Sequence, residues 1–135
     1  MRLTERHEQL LISLVALHSA IIGVVFMSAP AWAVRFGGWA LIDPPFFGRQ
    51  AGAFHLVLAA GYLVEFARYR GISLILIAKT FAFVFLMVHA VVDPLPWAVP
   101  VSGALDGLMA LVVWSVHRMV RSTQGAKPEG AGSMI

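Results

Sequence analysis

No cysteine occurs in this sequence. Disulfides, zinc–thiolate sites, iron–sulfur clusters and c-type haem linkages are therefore excluded. Charge is the second scarcity. Asp, Glu, Lys and Arg make up 13% of the 135 residues, half of what a soluble domain carries, about 25%. So little charge cannot clothe a water-facing surface of this size, which excludes a cytosolic globular domain and a disordered chain. The net charge of +3 does not mark a nucleic-acid module either, because the basic residues stand at the ends of apolar runs rather than in one patch. What is abundant is hydrocarbon: 59% of the residues are hydrophobic and the mean hydropathy is +0.81.

The apolar residues fall into four runs, Glu8 to Ser28, Phe47 to Ala67, Ile72 to Val92 and Trp97 to Val120. Each is long enough for a helix to cross about 30 Å of hydrocarbon. None alternates as a barrel strand does. The first run exceeds the apolar stretch of a signal peptide and reads as a retained helix. The expected fold is all-α: an antiparallel bundle of four transmembrane helices over residues 1–121, followed by a polar, Gly-rich tail over 122–135. Between the first two spans, Trp32, Phe36 and Trp39 surround Arg35. That composition suits a short helix lying at the membrane interface, stopped by Gly37 and Gly38. The short links "RYRG" and "DPLP" predict that spans two and three, and spans three and four, are packed neighbours.

Seven of the ten basic residues fall on one side of this arrangement: Arg2, Arg6, Arg68, Arg70, Arg118, Arg121 and Lys127. The positive-inside rule then places both termini in the cytoplasm. Lipid supplies no hydrophobic force between helices, so packing relies on small residues and polar contacts. Gly48 and Gly52 lie with Ala51, His55, Ala59 and Tyr62 on one stripe of the second span. Gly103 and Gly107 flank Ser102, Asp106, Ala110 and His117 on the fourth. The first span carries Ser13, Ala16, Ser19, Ala20 and Gly23 on one side.

Ionisable groups inside the spans must face protein or water, since a bare charge at mid-bilayer costs at least about 2.5–3.5 kcal/mol. Counted by depth, they form two layers. The outer layer holds Arg49, His55, His89, Asp93 and Asp106. A His55–Asp106 hydrogen bond or an Arg49–Asp106 ion pair would neutralise Asp106, either as a clasp fixing helix order or as a proton-handling or ligand-binding site. The inner layer holds Tyr62, Glu65, Lys79 and His117, with a Glu65–Lys79 ion pair expected across the short link. His18 is level with His55, and two histidines on different helices are the ligand set of a b-type haem. His18 nonetheless lies opposite the small-residue face of its helix, so one of those two faces is internal and the other meets lipid or a partner. No His or acidic spacing indicates a metal site, and no nucleophile or phosphate-binding motif is present.

The segments "FFGRQAGAFHLVLAAGYLVEF", "IAKTFAFVFLMVH" and "VSGALDGLMALVVW" resemble the DoxX-like group of small bacterial four-helix membrane proteins. Arg49 and Gly52 match its Arg-x-x-Gly at the start of the second helix, and Glu65 matches an acidic residue near that helix's end. The cysteines of its thiol-handling members are missing. The resemblance implies a membrane protein tied to respiratory or sulfur-redox systems, often as a companion subunit.

Three functions follow as expectations. The first is a non-catalytic companion subunit of a larger inner-membrane complex, needing no cofactor and associating with other membrane subunits or with itself. The second is a redox protein that meets quinone through His55 and Asp106, or holds haem b between His18 and His55. The third is a small transporter or ion-binding protein using Asp106 and Lys79.

Overall fold

The computed structural model describes residues 4–40 and 45–125. These form five helices and no strand: α1 Glu5–Ser28, α2 Pro30–Phe36, α3 Phe46–Tyr69, α4 Ser73–Val92 and α5 Ala98–Gly125. Helices α1, α3, α4 and α5 are each long and apolar enough to cross a membrane. The protein is a four-span antiparallel bundle, with α2 as the short aromatic helix between the first two spans. Helix α5 continues to Gly125, beyond the expected end of the last span. The rest of the expected tail, 126–135, lies outside the described residues.

Local chemistry sets the ends of the helices. At the start of α1, the Thr4 amide donates to His7 Nδ1 at 3.3 Å, and the Thr4 hydroxyl lies 2.7 Å from the same nitrogen. Pro30 opens α2, where its missing N–H costs nothing. Gly38, at φ +93°, takes a conformation open to glycine just past the end of α2. Arg70 closes α3 in the left-handed region at φ 52°. It is held there by its guanidinium over the Phe66 ring (4.4 Å) and by Glu5 (3.1 Å).

The helices pair in a way that link length does not dictate. Helix α1 packs along α3, although the longest connection separates them, and α4 packs along α5. Contacts between α3 and α4, joined by only a few residues, are sparse. The expected close packing of spans two and three is thus replaced by a seam. The reason is small residues. A Cβ at Gly23 would lie 2.9 Å from the Gly52 carbonyl oxygen, and one at Gly52 would lie 2.7 Å from the Gly23 oxygen. The two backbones are in direct contact there. Gly48 seats Pro30 of α2 on α3 in the same way. Gly103 and Gly107 admit Leu86, Met87 and the Phe83 ring of α4.

The shared core occupies one end of the bundle. Ile12, Val15 and Ala16 of α1 meet Tyr62 and Phe66 of α3, Ile72 and Ile75 at the start of α4, and Val113 of α5. All lie toward the basic end, where α1 begins and α5 ends. At the other end, Trp32 stacks on Phe36 (centroids 5.3 Å apart), and Phe36 meets Trp97 edge-on at 5.7 Å. This ties α2 to the start of α5. The amphipathic indoles of Trp32 and Trp97 suit the headgroup level.

Candidate functional site: an ionic cluster at the helix seam

Above the shared core, the seam between the two helix pairs is polar. Lys79 Nζ of α4 donates to Asp106 Oδ1 of α5 at 2.7 Å, with the two side chains only 6% and 15% exposed. Both the Arg49–Asp106 pair and the Glu65–Lys79 pair expected from the sequence are therefore corrected. The depth count explains the error. At about 1.5 Å per residue, Lys79 lies about 10 Å in from one end of its helix and Asp106 about 12 Å in from the other. In a core of about 30 Å those depths nearly meet, and the flexible lysine stem spans the remainder.

Two further side chains, His18 and Tyr62, lie near this pair, and His55 lies near His18. The His18 ring of α1 lies within electrostatic reach of Lys79, Asp106 and His55, and the Tyr62 phenol of α3 within reach of Asp106. His55 Nδ1 donates to the Ala51 carbonyl at 2.9 Å, so in the neutral ring Nε2 is the acceptor. His55 does not bond Asp106; Lys79 has that place. His18 Nδ1 and the Ser19 hydroxyl are buried without a hydrogen-bond partner. The two alternatives for α1 collapse into one. Its buried stripe is Ile12, Val15, Ala16, Ser19 and Gly23, and His18 borders that stripe toward the seam. Ala16, Ser19 and Gly23 of the small face are buried and His18 is half-buried beside them, whereas Ser13 is exposed.

The remaining expected site residues are dispersed. Glu65 caps α4 instead of pairing with a lysine: its carboxylate accepts the Ser73 amide at 3.1 Å and the Leu74 amide at 2.9 Å. These are free N–H groups of a helix start, where negative charge is favoured. His89 bonds Asp93 at 2.9 Å on an exposed face, away from Asp106. Arg49 is exposed one turn into α3. Among the described residues, no group of three or more His, Cys, Asp or Glu could hold a metal ion.

One buried pair had no expectation behind it. Glu8 of α1 is 5% exposed and bonds His117 Nδ1 of α5 near the basic end. Its signal was periodicity: Glu8, Ile12, Val15 and Ser19 are spaced as one helical face. The pair joins α1 to α5 beside the shared core, and it closes the seam at the end opposite α2.

A haem between His18 and His55 would need the imidazoles on opposite faces of a macrocycle. Helices α1 and α3 touch backbone to backbone at Gly23 and Gly52, within one and a half turns of both rings. Packing this close leaves no slot for a macrocycle between the two helices, so these residues do not fit the group.

Compared with protein-family models, curated proteins and solved structures, the chain finds no match.

Proposed function

We propose that this chain is a small protein of the bacterial inner membrane with both termini in the cytoplasm, serving a larger respiratory or electron-transfer complex as a non-catalytic companion subunit. The observation that carries this reading is the imbalance between surface and interior. The shared core lies at one end of the bundle, and only 11% of the apolar window of α4 is buried within the chain. Beyond the core, the two helix pairs meet along a polar seam rather than an apolar interior. A unit built this way presents far more helix surface than it uses itself, and small-residue contacts are what membrane helices use to assemble.

A second reading is supported by the seam. His55 has one tautomer fixed by the Ala51 carbonyl, and His18 Nδ1 has no partner. Beside a lysine–aspartate pair, these rings would suit a quinone carbonyl reached from the lipid phase. Intramembrane ionisable groups commonly mark such sites.

One experiment separates the readings. The tagged chain is expressed in its native membrane, purified in mild detergent and analysed for co-purifying polypeptides and extracted quinone. The companion reading expects another membrane polypeptide in stoichiometric amount. A monodisperse particle free of other chains would overturn it. Stoichiometric quinone, lost in His55→Leu, would favour the second reading, and its absence would remove that one.

A further inference from the structure

Outside the bundle, α4 and α5 enclose an open groove of about 680 Å³ lined by Leu76, Thr80, Phe83, Leu108, Leu111 and Trp114, among others. Its volume is within the range of small-molecule sites, about 300–1,000 Å³. Thr80 aside, these six lining residues are apolar, and Phe83, Leu108, Leu111 and Trp114 are exposed. One end of the groove carries charge. Gly107, Leu111, Trp114 and Arg118 follow at spacings of four, three and four residues, which is one stripe of α5. The Arg118 guanidinium lies 4.9 Å above the Trp114 ring, and that ring is itself part of the lining. Arg121 follows within the next turn. A long apolar channel thus ends at an aromatic ring and a cation, at the depth where a headgroup would lie.

We infer that this groove is a binding site for one anionic phospholipid, an acyl chain lying between α4 and α5 and the phosphate at Arg118. Charge complementarity selects the occupant. A neutral partner helix would leave Arg118 unmatched, whereas a phospholipid supplies hydrocarbon and a negative oxygen in the required order. Arginine meets phosphate with a fork of donors, and the indole holds the guanidinium over the groove's end. The inference rests on the membrane reading of the fold and is independent of whether the chain serves a complex.

Native mass spectrometry of the full chain in detergent tests it. Delipidated protein is titrated with phosphatidylglycerol or with phosphatidylcholine of the same acyl chains. The expected result is one phosphatidylglycerol retained per chain in preference to phosphatidylcholine. Arg118→Gln should weaken phosphatidylglycerol about fivefold, the effect of one basic residue at a membrane surface, and leave phosphatidylcholine unchanged. Ala104 also lines the groove and is exposed, so Ala104→Phe, which fills it, should abolish the preferred site. Equal retention of the two lipids would overturn the inference, as would an Arg118→Gln variant that binds phosphatidylglycerol like the parent. Arg118 is exposed and outside the helix contacts, so its variant keeps the test decisive should Ala104→Phe fail to fold.

Discussion

Replacing Asp106 with alanine should cost about 3–5 kcal/mol of stability in detergent, because the Lys79 ammonium is left buried without its counter-charge. The side chains concerned are 6% and 15% exposed, so water cannot replace the lost carboxylate. The same loss is expected for Lys79→Ala, where the uncompensated group is the aspartate. The double variant Lys79→Met with Asp106→Leu should behave differently. Removing both charges removes both desolvation penalties, and exchanges of this kind are neutral or stabilising by about 1–4 kcal/mol. Denaturant titration of the three variants measures the contrast. Single variants as stable as the parent would show that the pair is not buried in the membrane-embedded protein. A double variant as unstable as the singles would show that the pair supplies something that packing cannot.

Substituting alanine for Gly52 is expected to destabilise the bundle by about 1–3 kcal/mol, the usual range for overpacking. The added methyl would lie 2.7 Å from the Gly23 carbonyl oxygen and 2.8 Å from the Met27 amide nitrogen. Those atoms are backbone on a long helix, so α1 as a whole must move off α3. Gly61→Ala is the matched control. Its methyl would meet only the Leu74 Cδ2 atom at 2.7 Å, the far end of a side chain that can rotate away, and a change below about 1 kcal/mol is expected. Equal effects at the two glycines would contradict the backbone contact between α1 and α3.

The span positions were readable from the sequence because hydropathy over twenty residues is a strong, local signal, and the four long helices begin and end within a few residues of their apolar runs. Helix pairing was less legible. Link length suggested that α3 and α4 are neighbours, but close packing followed Gly23 and Gly52, which come together only in three dimensions. The ionic partners were harder still. Depth along a helix is read from one end, and Lys79 and Asp106 were counted from opposite ends, so a pair that meets near the middle was split between two layers. Glu65 illustrates a different limit. Facing Lys79 across a short link it suggests a salt bridge, but two backbone amides at the start of α4 stand closer and bind its carboxylate without ordering a long side chain. Glu8 opens the first apolar run, and only its register with Ile12, Val15 and Ser19 points to the interior.

The proposed passage of four helices through the bilayer, with N- and C-terminus together on the cytoplasmic side, is the claim on which the remaining ones depend. The absence of cysteine makes it directly accessible. Single cysteines are placed at Leu95, in the link between α4 and α5, and at Ser122, near the end of α5. Both positions are exposed. Treating intact spheroplasts with a membrane-impermeant maleimide should label Leu95→Cys at once and Ser122→Cys only after lysis. Labelling of Ser122→Cys in intact spheroplasts, or identical behaviour of the two positions, would contradict the arrangement.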